Sequence, residues 1–302
     1  MGAATGVEQN AINVQVFGMS DMGRVRKNNE DNFAVCNLTT GEVGLTPPLR
    51  SHTLGNRGSL FMVADGMGGE ASGEIASQIC ASTVPERLYE NLKSLGRVSE
   101  ANFVLLLRES IEYANQIIHQ KAKSNPIYRG MGTTATVAAL LGPYLFVAQV
   151  GDSRAYLIRQ NELTQLTRDQ TFLNYLKEMG VEVPADPEMD SRKSILTQAV
   201  GSSESVNVKV TYTKVRQGDS LLLCSDGLYN MVSAIDILAT VEGIEPLANK
   251  CESLIDKANA KGGSDNITVV MAEFSGPGLP PATPTAVVKF KEFKEEDFEG
   301  HP

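Results

Sequence analysis

The chain has 302 residues, 42% hydrophobic and 21% charged, a length that suits one large domain or two small ones. Its net charge of −9 argues against a nucleic-acid binder, which normally carries a basic field. No apolar run approaches the ~20 residues of a membrane-spanning helix, and residues 1–10 lack the cationic start and apolar stretch of a secretory signal, so a soluble cytoplasmic protein is expected.

In chain order, 59–64 is a short apolar run closed by an aspartate and reads as a buried strand. Residues 70–92 carry Ile75, Ile79, Val84 and Leu88 at near-helical spacing; 99–123 carry Phe103, Leu107, Ile111, Ala114 and Ile118 in the same way, and both predict helices. Strands follow over 133–141, 144–150 and 154–159, then a more alternating, half-exposed strand over 207–215 and a buried one over 220–224. Weaker helical patterns cover 231–241 and 246–260, before a last strand over 267–274. The short links 141–144 and 216–219 suggest hairpins, hence antiparallel pairing. Many strands with helices inserted in pairs suit a layered α+β fold better than a βαβ parallel sheet. One domain is expected over 1–275. From Gly276-Pro277-Gly278 onward the composition is that of a linker and a charge-rich tail, so 276–302 is expected to be flexible.

Cys36, Cys80, Cys224 and Cys251 form no C-x-x-C pair, and none is followed six positions later by the Arg that thiol-based phosphatases require. They are expected to be unpaired, buried thiols. His52, His119 and His301 are too scattered for a zinc cluster, and His119 reads as a packing residue on its helix. Gly130-Met131-Gly132-Thr133-Thr134-Ala135 matches G-x-G-x-x-A formally, but it precedes a β-branched run instead of opening a helix, which speaks against nucleotide binding.

The recurring feature is an aspartate at the edge of an apolar run: Asp65, Asp152, Asp226 and Asp265. A single Asp-Gly is most often only a turn. Several carboxylates gathered at strand ends are different, because they repel one another unless cations lie between them. Oxygen-only ligands favour Mg²⁺ or Mn²⁺ over zinc.

Seven segments sharpen this: Arg26-Lys27-Asn28-Asn29-Glu30-Asp31-Asn32, Asp65-Gly66-Met67-Gly68-Gly69 with Gly73-Glu74, Gly130-Met131-Gly132-Thr133-Thr134, Gly151-Asp152-Ser153-Arg154, Leu166-Thr167-Arg168-Asp169, Ser225-Asp226-Gly227-Leu228 and Asp265-Asn266-Ile267-Thr268. Together and in this order they resemble the metal-dependent PPM, or PP2C, family of serine/threonine protein phosphatases, in its bacterial form. The resemblance implies a four-layer αββα sandwich, a central antiparallel β-sandwich flanked by helix pairs. It implies two or three Mn²⁺ or Mg²⁺ ions: Asp65 bridging two of them with the Gly66 carbonyl on one, Asp226 and Asp265 completing the second, and Asp31 and Glu30 acting through waters. Asp152 with Asp226 would hold the third ion, and Arg26 would grip the substrate phosphate. A water shared by two ions would attack phosphorus in line.

It further implies phosphorylated proteins as substrates, a Ser/Thr kinase and its targets as partners, a monomer, and no part for nucleic acid or membrane. A catalytically dead phosphoprotein-binding relative is disfavoured by the intact carboxylate set, and small phosphate esters stay open as substrates. In two places the chain departs from the family. Met67 stands where some relatives have a His that could donate a proton. Gln198, in Thr197-Gln198-Ala199-Val200-Gly201, stands where an Arg is common, beside a stretch, 171–194, that matches the family's variable flap.

Overall fold

The computed structural model describes residues 10–68, 72–181, 195–283 and 286–298. One sheet runs β10 (Glu162–Gln165), β9 (Arg154–Arg159), β12 (Ser220–Cys224), β13 (Ile267–Ser275), β1 (Asn13–Asp21) and β4 (Ser51–Thr53). The other runs β14 (Lys291–Glu292), β11 (Lys209–Lys214), β8 (Tyr144–Val150), β7 (Ala135–Leu141), β5 (Ser59–Met67), β2 (Asp31–Asn37) and β3 (Glu42–Val43), with the short β6 (Gly132–Thr133) also on β5. The paired strands are antiparallel. Helices α2 (Ser72–Lys93) and α3 (Glu100–Ser124) cover the outside of the second sheet; α5 (Asp226–Tyr229), α6 (Ala234–Val241) and α7 (Leu247–Ala260) cover the first. The short α1 (Pro47–Arg50) and α4 (Phe172–Glu178) lie in connections. The expected αββα sandwich is therefore observed.

The strands read as continuous apolar runs because both faces of each sheet are covered. In β5, Leu60, Met62 and Ala64 pack toward α2 and α3, while Phe61 and Val63 pack between the sheets. In β13, Val269 and Met271 face α5–α7, and Val270 and Ala272 face the sandwich interior. With a side-chain period of two, each strand feeds two cores at once. Full burial of each large apolar side chain contributes about 1.5–3 kcal/mol.

The predicted helices appear with small shifts, and Ser99 caps α3 by accepting from the Asn102 N–H at 3.3 Å. The predicted start at residue 70 lies outside the described residues. The helix expected over 231–241 begins later, at Ala234, where Ser233 caps α6, and the short α5, which was not expected, precedes it and ends at Tyr229. Strands β1 and β2 were not expected, although Val14 and Val16 alternate as a half-buried strand should. The 141–144 link is the expected hairpin, with Leu141 opposite Tyr144. The 216–219 link is not. It turns tightly, the Asp219 N–H donating to the Arg216 carbonyl, but carries the chain from β11 in one sheet to β12 in the other. The four cysteines are buried and unpaired. Burial pushes their thiols up to about 12, so none is a nucleophile near neutral pH.

The described part of 276–302 packs against the domain. Leu279 and Val288 are buried in the inter-sheet core. β14 extends the second sheet beside β11, and Phe293 and Phe298 close an aromatic cluster with Tyr144, Phe146 and Tyr212. Composition hid this because the aromatic anchors are few and stand among charges.

At the sheet crossing, Arg159 donates to both oxygens of Asp219, Nε at 2.8 Å and Nη2 at 2.6 Å, and both residues are buried. The same carboxylate accepts the Arg216 N–H. Asp219→Ala leaves a buried guanidinium without its counter-charge and is expected to destabilise the fold by about 3–5 kcal/mol. Urea unfolding followed by circular dichroism should show a lower midpoint at unchanged slope; an unshifted midpoint would remove this pair from the stability account.

Candidate metal centre

The sandwich brings five predicted acids together at one end. Asp31 opens β2 and is the direct cross-strand partner of Asp65 on β5. Asp152 follows β8 in the link to β9; Asp226 opens α5; Asp265 precedes β13. Their mutual influence is visible in proton affinity. Burial, then the charges of Asp31, Asp226, Asp152 and Asp265, holds the Asp65 carboxyl well above the usual range. Burial raises Asp31 to about 7 against the opposing hydroxyls of Ser225 and Thr268. Burial and then Asp226 raise Asp152 to about 7, and burial and then Asp265 raise Asp226 to about 6.

Local structure explains how these charges are held. Asp65 is fixed through its backbone: its N–H donates to Thr134 Oγ1 at 2.9 Å, and its carbonyl accepts from the Thr134 N–H and the Thr133 hydroxyl. Asp31 Oδ2 accepts the Ser225 hydroxyl at 2.6 Å. Ser225 is the N-cap residue of α5, yet its side chain makes no cap hydrogen bond there; its oxygen instead accepts the Thr268 N–H. Asn266 ties down the 22–30 loop, donating to the carbonyls of Met22 and Asn28 and accepting the Glu30 N–H. Gly66 is packed so closely that a Cβ would lie 2.2 Å from the Gly73 carbonyl oxygen and 2.5 Å from that of Glu30. Sequence reading missed Ser225, Thr133, Thr134 and Asn266 as site residues, though all stand inside the quoted motifs.

Arg26 is half exposed and donates from Nη2 to Asp265 Oδ2 at 2.7 Å. That hydrogen bond raises its pKa. Burial raises the Glu30 carboxyl, and Arg26 partly offsets this. Met67 ends β5 with 38% exposure and has no proton to transfer. His119 packs as expected, its Nδ1 at 3.1 Å from the Gly201 carbonyl oxygen.

A cavity of about 760 Å³ holds none of these five acids; it lies beside them, between α4 and the last strands of the second sheet, with Asp169, Gln170 and Gln198 in its wall. A smaller cleft of about 210 Å³ is lined by Arg26, Lys27, Asn28, Glu30, Gly68 and Asn266. The five acids line neither space; the smaller cleft reaches them through Arg26, which donates to Asp265.

The donor set is all oxygen and strongly anionic, opposed by one partly exposed guanidinium, and so fits divalent cations. Among the described residues no three acidic, imidazole or thiol side chains form a ready-made cluster around one point.

Comparison with known proteins agrees. Residues 50–261 match the family model described as protein phosphatase 2C. The protein phosphatase PhpP of Streptococcus pneumoniae is 34% identical over 263 residues, covering 87% of this chain and 98% of that protein. The structure of the S. agalactiae serine/threonine phosphatase superposes with a TM-score of 0.74 at 30% identity, over 86% of this chain and 99% of that one. The catalytic domain of the serine/threonine protein phosphatase PstP, in complex with two manganese ions, superposes with a TM-score of 0.68 at 32% identity, over 87% and 99%.

A carboxyl raised on folding binds protons more tightly in the folded state, so the metal-free protein should lose stability as pH rises from about 4 to about 7 at these positions. Asp152→Asn is therefore expected to stabilise the metal-free protein by about 1–4 kcal/mol near pH 7.5 and to lose that advantage near pH 4. Thermal unfolding with chelator at both pH values measures this; a variant less stable than wild type near pH 7.5 would contradict the charge argument.

Proposed function

Since this chain belongs to the protein phosphatase 2C family of serine/threonine protein phosphatases, we propose that it hydrolyses phosphoserine and phosphothreonine in proteins with two or three Mn²⁺ or Mg²⁺ ions held by the converged carboxylates. The observation that carries this reading is that convergence: four aspartates hold raised pKa values largely because each is buried beside the others.

Asp65 and the Gly66 carbonyl, with Asp226 and Asp265, would hold two ions; Asp31 and Glu30 would support them through waters, and Asp152 with Asp226 would hold a third. When bound, such ions would supply Lewis acidity toward the phosphate and a water of lowered pKa for in-line attack. The protein's own part is positional. Thr133, Thr134 and Ser225 fix the acids before substrate arrives, so little reorganisation is required as charge develops. Arg26 already has an oxyanion partner in Asp265. A cation at Asp265 would free the guanidinium to bind two phosphate oxygens. No side chain is assigned to protonate the leaving serine or threonine oxygen, since Met67 cannot; the open cleft lets solvent do so.

This reading carries a cytoplasmic setting, action as a monomer, phosphoproteins as substrates and a Ser/Thr kinase whose marks are removed. Neither nucleic acid nor membrane has a part in it. The net charge of −9 supports the exclusion of nucleic acid, and among the described residues no helix is long and apolar enough to cross a membrane.

Two outcomes are expected. Hydrolysis of p-nitrophenyl phosphate should require Mn²⁺ or Mg²⁺ and be abolished by chelator and by Asp226→Asn; turnover that persists without metal would refute the mechanism. Arg26→Ala should raise KM by about 10-fold, equivalent to losing ~1.4 kcal/mol of phosphate binding, with a smaller fall in kcat. Steady-state kinetics with an unchanged KM would take that role from Arg26.

A further inference from the structure

We infer that Gln170 and Gln198 are positioning residues for Asp152, an inference that rests on the reading above in which Asp152 and Asp226 hold a third ion. Gln198 is the departure from the family pattern that the mechanism leaves unexplained.

Asp152 follows Gly151, whose φ of +99° is open to glycine, and a Cβ there would lie 2.7 Å from Thr134 Cγ2. Gln170 holds Gly151 at two points. The Gly151 N–H donates to Gln170 Oε1 at 2.7 Å, and the Gln170 N–H donates to the Gly151 carbonyl at 3.0 Å. Gln198 Nε2 donates to the same Gln170 Oε1 at 2.9 Å. Both donors are N–H groups, so the Gln170 side-chain oxygen must face them and its amide has one orientation. Gln198 is fixed in turn by Asn207, accepting its N–H at 3.1 Å and donating to its carbonyl at 2.9 Å. Gln149 completes the frame, donating to the Gly151 carbonyl and accepting the Arg168 N–H.

The far side of the loop is held by a different element. Tyr229, three residues after Asp226 on α5, donates its hydroxyl to the Asp152 carbonyl at 3.2 Å. The Arg154 guanidinium lies 3.6 Å above the Tyr229 ring and donates to both oxygens of Asp169. The peptide carrying Asp152 is thus gripped on one side by an amide chain and on the other by the helix that bears Asp226. A loop that only needed to turn would require the backbone pair alone. The added amides fix the direction of the carboxylate and, being neutral, place no cation beside it to compete with a divalent ion. They also form part of the wall of the 760 Å³ cavity, and so stand between that space and Asp152.

The test is calorimetric Mn²⁺ titration of the full chain, wild type against Gln170→Met, Gln170→Glu and Gln198→Met. Removing the acceptor in Gln170→Met is expected to weaken the weakest of three ions about 10-fold or more, leaving the two tighter ions unchanged. Gln170→Glu, which keeps an acceptor oxygen, should retain that ion. Gln198→Met should weaken it less than Gln170→Met does. In metal-free protein, the Gly151 amide should exchange its hydrogen faster in both Met variants. A Gln170→Met chain that titrates like wild type, or that weakens all three ions together as general loosening would, overturns the positioning role. A wild-type chain that takes up only two ions overturns the third-ion reading and this inference with it. Should Gln170→Met fail to fold, Gln198→Met decides the matter alone, by the same loss at the weakest ion or its absence.

Discussion

The structure depends on holding like charges together. Asp31, Asp65, Asp152, Asp226 and Asp265 meet at one end of the sandwich, each raised carboxyl reporting the cost of burial and of its neighbours. A soft scaffold would relieve that cost by letting the side chains splay into water. Here the acids hang from strand ends, a tight turn and a helix start, each tied by backbone and hydroxyl hydrogen bonds. The repulsion is therefore stored, and in the proposed mechanism a bound cation would release it. Stability is given up at the site and recovered in the two sheets and three apolar layers behind it.

Much of this was legible in the sequence, for physical reasons. Strands buried on both faces show as unbroken apolar runs, which is why β5, β8, β12 and β13 could be located. The long helices announced themselves by period. The acids were legible because a carboxylate at the edge of an apolar run needs a reason to be there. Their joint meaning came from seven short segments in order, since no single Asp-Gly distinguishes a ligand from a turn.

What escaped has physical reasons too. β1 alternates Val14 and Val16 with polar neighbours, a weaker signal than a continuous run. The turn at 216–219 looks like a hairpin because local chemistry sets the turn, whereas β12 pairs with the distant β9 and β13, beside the Arg159–Asp219 ion pair. The C-terminal segment is mostly charged, and its few aromatic anchors gain meaning only beside Tyr144, Phe146 and Tyr212. Gln170 and Gln198 are 28 positions apart, and nothing in either neighbourhood says that they share an oxygen.

The pairing of β1 with β13 reaches further than architecture. Val14 lies opposite Phe274 and Asp21 opposite Ile267, so an early strand of the chain finds its main partner only near the far end of the domain. On the ribosome, β1 must therefore wait through the synthesis of nearly every other strand before its sheet can close. The long-range loop closure makes folding of this sheet a late, cooperative event. The same ordering ties Asp265 to sheet closure: it stands two residues before β13, so it comes into place only with the strand that closes the sheet, and a chain cut short of residue 265 has neither.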